Sequence, residues 1–171
     1  MSEKTIQGLC DRLKEELLNT GYEYGFFLNG KTYKPDIDSG FDKEFNNSLV
    51  KLSRVQDPVD TVREKVGTCI DAVVLMKSIL REYEVSSKIW LVQNRTSHSP
   101  HTVLTFEAEG KIIYLELTPQ SKKPWYGKEK IYEDEKQFID EWVSNNYSIS
   151  DVTDAVIVGE RPDFILSTIE K

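Results

Sequence analysis

The stretch that most constrains this chain is Gly67-Thr68-Cys69-Ile70-Asp71-Ala72-Val73-Val74-Leu75-Met76. Gly67 breaks what precedes it. Thr68 and Asp71 then stand at capping-box spacing, the hydroxyl reaching forward to the Asp71 amide and the carboxylate reaching back. Cys69 becomes the first helical residue, beside unsatisfied N–H groups at the positive end of the helix dipole, where a thiolate is favoured over a thiol. From Ala72 to Met76 the sequence is apolar, and Lys77, Ser78, Arg81 and Glu82 arrive only later, so the first two turns belong inside the protein. A buried helix that presents a thiol at its start admits two readings: a reactive cysteine, or one more small buried hydrophobe.

The segments after this helix bear on that choice. Ser87 to Gln93 reads as a strand, Asn94 to Pro100 as a polar loop, and His101–Phe106 and Lys111–Leu117 as two alternating runs joined by Glu107-Ala108-Glu109-Gly110. Two such runs with a short Gly-ending connection predict a β-hairpin. With a loop of Glu107 to Gly110, Phe106 pairs with Lys111, and counting outward sets His101 directly opposite Glu116. Opposed residues share a face with Cβ atoms about 5 Å apart. A bulge at Gly110 would shift the pairing by one and separate the two. Cys69, His101 and Glu116 thus offer a thiol nucleophile, a base that accepts its proton, and a carboxylate that fixes the imidazole tautomer and stabilises its charged form.

Gly-Thr-Cys69-Ile-Asp-Ala before a helix, His101 opening a strand, and an acidic residue in Tyr-Leu-Glu116-Leu-Thr-Pro119 on the next strand together resemble the transglutaminase-like superfamily. The resemblance runs over roughly Gly67 to Pro119. It implies an α+β, papain-like fold in which the nucleophile helix packs on a small antiparallel sheet, and a catalytic triad of Cys69, His101 and Glu116. Members of that superfamily mostly carry Asp-x-Thr where this chain has Glu116-Leu-Thr118. Some bacterial members are similar to this chain here, with His-Thr and a downstream Tyr/Trp-x-Glu, so the carboxylate role is carried to Glu116.

The remainder of the chain frames the site. Its 171 residues are read as one domain, large enough for a real core. The net charge of −7 is interspersed along the sequence, which argues against a nucleic-acid surface. No apolar run approaches a membrane span, no signal peptide is evident, and the two cysteines, Cys10 and Cys69, suit a reducing cytoplasm. Ile6, Leu9, Cys10, Leu13 and Leu17 predict an amphipathic first helix ending near Gly21, with Cys10 in the core. Asn29-Gly30 between aromatic flanks predicts a tight turn, Lys34–Gly40 a loop, and Asp42–Leu52 a short helix. Asp57 and Pro58 are placed to cap and open another helix that ends at Gly67. Pro119–Gly127 reads as a loop whose Trp125 and Tyr126 cover a core edge or lie near the site. Glu133–Val143 reads as a helix, Ala155–Gly159 as a last strand, and Pro162–Lys171 as a closing helix.

Gln56 is a candidate side-chain donor to an oxyanion hole, beside the backbone amide of Cys69. A zinc site needs three or four ligands, and His98 with His101 falls short, so neither metal nor cofactor is expected. The function expected is that of a thiol-dependent acyl-transfer enzyme, a cysteine hydrolase or peptidase acting on a peptide, protein or small amide or ester. The alternative is a degenerate member that keeps the fold as a protein-binding module. Hydrolysis is expected over amine transfer, because only Gly21–Gln56 and Pro119–Gly127 are left to build a lid that excludes water.

Overall fold

A computed structural model of the chain describes residues 4–35, 43–118 and 124–165. The predicted loop beyond Pro35, the helix start at Asp42, the first part of the loop after Thr118 and the helix beyond Ile165 lie outside these residues. The protein is α+β. Helix α1 (Ile6–Leu17) is capped by Thr5, whose hydroxyl oxygen accepts from the Gly8 N–H at 3.0 Å, and it buries the expected stripe of Leu9, Cys10, Leu13 and Leu17. A short strand β1 (Glu23–Tyr24) leads to the hairpin β2 (Phe26–Leu28) and β3 (Lys31–Tyr33). Asn29 (φ 51°) and Gly30 (φ 77°) make its turn, the left-handed pair that matches strand twist. Helix α2 covers Lys43–Leu52 and α3 Pro58–Glu64, the latter capped by Asp57 with Pro58 in its first turn.

Left-handed Lys65 (φ 55°) stops α3 earlier than Gly67 and frees two residues, Val66–Gly67, to form β4 parallel to β1. Helix α4 (Cys69–Glu82) follows at once. Its residues Ile70 to Met76 are all buried, Ala72 to Met76 as their apolar run requires and Asp71 with them. It ends in a left-handed Glu84, with Val85 N–H donating back to the Leu80 carbonyl and Glu84 N–H to that of Arg81, which satisfies the last turn.

Strands β5 (Ser87–Asn94), β6 (Pro100–Ala108) and β7 (Lys111–Leu115) form an antiparallel meander. Two further strands extend it, β8 (Glu129–Tyr132) beyond β7 and β9 (Tyr147–Asp151) beyond β5, to give the order β8-β7-β6-β5-β9. Alternation sends Leu104, Phe106, Ile113 and Leu115 to the face covered by α4 and α1. Val103 and Tyr114 go to the other face, beneath Phe138 and Trp142 of helix α5 (Glu135–Ser144). Each large side chain buried this way contributes about 1.5–3 kcal/mol.

The end of the chain departs from expectation. Ala155–Gly159 is not a strand: a 3₁₀ turn occupies Thr153–Ala155, and Ile157 and Val158 remain exposed. The segment is instead tied to Val55 by two backbone hydrogen bonds, from Gly159 N–H and to the Glu160 carbonyl. The edge position goes to Tyr147–Asp151, whose polar residues face solvent. Among the described residues no helix is long and apolar enough to cross a membrane.

Candidate active site

Cys69 opens α4 and is half-buried as a residue. Thr68 and Asp71 form the capping box; the Thr68 N–H donates to Asp71 Oδ2 at 2.9 Å, and the Thr68 hydroxyl also reaches that oxygen at 3.2 Å. Asp71 Oδ1 accepts from the Gln56 N–H at 2.8 Å. Burial pushes this carboxyl up, and the donors from Thr68 and Gln56 oppose it. Asp71 therefore knots the loop before α3 to the start of α4 and takes no part at the sulfur. Gly67 is held here by space: an added Cβ would meet Tyr22 Oη at 2.5 Å and Asp71 Cβ at 2.8 Å. The Tyr22 hydroxyl donates to the Thr68 carbonyl at 3.2 Å, so the residue just before β1 buttresses the turn that delivers the cysteine.

The hairpin brings His101 to Glu116 in a register that differs from the expected one. Ala108 pairs with Lys111, and the turn is only Glu109-Gly110, both left-handed (φ 52° and 72°). Two-residue turns of this kind suit strand twist, and Ala108 adds core burial, so pairing continues past Phe106. Extended outward from Thr105–Tyr114, this register sets Val103 across from Glu116 and His101 across from Thr118. His101 and Glu116 are therefore diagonal neighbours rather than directly opposed. The slip is two residues, one full side-chain period, so both stay on the same face. Diagonal neighbours stand roughly 7–8 Å apart, a gap that a glutamate's extra methylene helps to span. His101 Nε2 and Glu116 Oε1 are 2.7 Å apart.

Glu116 is 2% exposed and fully engaged. Besides His101, the Tyr114 hydroxyl donates to Oε1 at 2.7 Å and the Thr118 N–H to Oε2 at 3.3 Å. Burial alone would push this carboxyl up; the His101 charge and hydrogen bond, with Tyr114 and Thr118, hold it below the usual value. His101 shows the complementary balance. Burial pulls its imidazole down, but the Glu116 charge and the hydrogen bond with Cys69 raise it to about 10. At Cys69 burial acts against the thiolate and is outweighed by the hydrogen bond and charge of His101, with Thr102 adding to them, so the thiol is lowered. With Nε2 given to Glu116, Nδ1 is the ring nitrogen left for the sulfur. The two shifts are the two sides of one coupling, in which the charged form of each partner favours the charged form of the other.

The structure gives Gln56 a different task from the oxyanion donor that its position suggests. Its Nε2 donates to Thr61 Oγ1 at 2.9 Å and to the Val66 carbonyl at 3.1 Å, so both side-chain protons are spent in holding the α3–β4 corner. The remaining donor of that kind is the Cys69 N–H, which as first of its helix has no carbonyl four residues back. His98 stands exposed in the loop before β6. Among the described residues no cluster of three or more His, Cys, Asp or Glu could hold a metal ion.

Trp125 packs edge-on against Tyr114, ring centroids 6.4 Å apart, with the Lys130 ammonium 4.2 Å from its own centroid, and so covers the carboxylate's side of the sheet. Tyr126 beside it is half-buried, and burial and the Glu116 charge push its phenol up. Tyr114 is the site residue that the triad pattern did not name. Its signal was the spacing: two residues before Glu116 in one extended run, it shares that face.

A scan against protein-family models finds no match to this chain, and a search of the curated proteins finds none either.

Proposed function

We propose that this protein is a cysteine hydrolase with a papain-like core of the transglutaminase-like type, cleaving an amide or ester through an acyl-thioester on Cys69. The observation that carries the reading is the 2.7 Å contact between His101 and a buried, triply held Glu116, beside a thiol that opens a helix. The Cys69 sulfur attacks the substrate carbonyl carbon, and its π electrons move onto the oxygen, which the Cys69 N–H meets. As the tetrahedral intermediate collapses, the bond to the leaving amine or alkoxide breaks and His101 transfers its proton to that group. Neutral His101 then takes a proton from water while the hydroxide oxygen attacks the thioester. The carbon–sulfur bond breaks, the acid leaves, and the thiolate–imidazolium pair is restored. Glu116 keeps its charge throughout and turns the ring.

Water is the acceptor in this reading because an amine transferase must exclude water from the thioester and so needs more parts than a hydrolase. The reading is tested with a panel of amide-, ester- and thioester-releasing substrates, followed by mass spectrometry with and without a primary amine, using Cys69→Ala as the blank. Release of free acid that disappears in Cys69→Ala supports it. An amine adduct as the main product at millimolar amine would overturn the hydrolase assignment. No turnover, together with Cys69 labelling at the rate of an ordinary thiol, would favour a protein-binding module.

A further inference from the structure

Thr102 follows His101 in β6 and is fully buried. Alternation with Leu104 and Phe106, which lie in the α4-side core, puts its side chain on the face from which Cys69 approaches. Three other buried threonines have clear hydroxyl partners. Thr61 Oγ1 meets Gln56 Nε2 at 2.9 Å, Thr68 Oγ1 meets Asp71 at 3.2 Å, and Thr105 Oγ1 meets Trp90 Nε1 at 2.9 Å. Thr102 Oγ1 has no such partner, although it is buried. Valine, of the same shape, is the ordinary resident of a dry position on a central strand, and an unsatisfied hydroxyl there is a cost that a purely structural role does not explain.

We propose that Thr102 is a positioning residue whose hydroxyl donates to the Cys69 sulfur and, with His101, holds it as the thiolate. The inference rests on Cys69 being the nucleophile. A sulfur anion is large and diffuse, so a donor to it acts at longer range and looser angle than a donor to oxygen, which accounts for a hydroxyl without an ordinary hydrogen bond. The favoured thiolate in turn reflects Thr102 as well as His101. The other titratable groups around the sulfur are the phenols of Tyr22, just before β1, and of Tyr24 within it, with Glu116 behind the imidazole. None of these is a cation, so the hydroxyl supplements the single positive charge of His101. The same donor stabilises the thiolate when it leaves the thioester.

The test is the pH dependence of iodoacetamide alkylation at Cys69 in the wild type, Thr102→Val and Thr102→Ser, with thiolate ultraviolet absorbance as a second readout. Valine keeps shape and burial but removes the donor, so its inflection should move to higher pH by about one unit, roughly a tenfold slower alkylation below it. Serine, which keeps the hydroxyl, should return the profile to that of the wild type. Urea melts below the inflection, where the sulfur is protonated in both proteins, should show the valine variant folded, so that a displaced profile is read on native protein. A valine profile that overlays the wild type, while wild-type Cys69 still titrates below a free thiol, would overturn the role of Thr102 alone. A wild-type inflection at the free-thiol value would overturn the nucleophile assignment, and this inference with it.

Discussion

Replacing Glu116 by Gln keeps the side chain's shape and removes its charge. The carboxylate now accepts from His101 at 2.7 Å, from Tyr114 at 2.7 Å and from the Thr118 N–H at 3.3 Å, all at a site 2% exposed. An amide offers one accepting oxygen for these donors and brings two protons of its own. The hydrogen bond from the imidazolium loses its charged acceptor, and a hydrogen bond to a charged group is worth about 1.5–3 kcal/mol. A buried imidazolium without a counter-ion is costly, so His101 gives up its proton near neutrality and the thiolate loses its cation in turn. Turnover should fall on the order of 10²-fold, about 2.7 kcal/mol of barrier, while circular dichroism stays native. Alkylation of Cys69 against pH reads the same change directly, as an inflection displaced towards that of a free thiol. Profiles of wild type and Glu116→Gln that coincide would refute the role given to this carboxylate. Glu116→Asp adds a geometric control: charge is kept but the chain is one methylene too short for the diagonal, so it should fall between the two.

The other expectations follow from the same contacts. His101 is raised from 6.5 to about 10, so its contribution to folding is complete below about 6.5 and is lost as pH rises through about 10; urea midpoints of wild type and His101→Ala should therefore converge over that rise. Cys10 is fully buried and pushed up to about 12, by burial first and then by the Glu129 charge, so native protein should label at Cys69 and take up reagent at Cys10 only in denaturant. Gln56→Ala should lower stability by about 1–3 kcal/mol in urea melts, through the donors lost to Thr61 and Val66. It should leave kcat within about twofold, whereas an oxyanion donor would cost 10²–10³.

The start of α4 was legible because its determinants lie within a few residues. Gly67, Thr68 and Asp71 act on one another locally, and an unbroken apolar run leaves a helix nowhere to go but inward. The elements that were missed depend on distant partners. Strand β8 is held by β7, and β9 by β5 across more than fifty residues of chain, and neither carries enough apolar alternation to announce itself. Ala155–Gly159 misled for the opposite reason: its apolar run looks like a strand, but the sheet edge was already taken and the segment found Val55 instead. Gln56 looked free because nothing in its neighbourhood of sequence says that Thr61 and Val66 fold back onto its amide.

The hairpin shows why His101 and Glu116 meet although the register differs from the expected one. A strand repeats its side-chain direction every second residue, so the face shared by His101 and Glu116 depends only on whether the count across the turn is odd or even. A loop of four residues and a turn of two leave that parity unchanged, and both keep the pair together. The two-residue turn does more, because it turns an opposed pair into a diagonal one. It also extends the ladder through Ala108 and leaves β7 to end at Leu115, so Glu116 lies past the last paired residue. There its carboxylate meets the Thr118 N–H and its carbonyl accepts from Gly127 at 2.8 Å. A single extra residue at Gly110 would have sent the carboxylate to the α4 side, away from Tyr114 and His101. The chemistry proposed for Cys69 therefore rests on the left-handed Glu109-Gly110 turn, at the far end of the hairpin from the sulfur, as much as on the three side chains themselves.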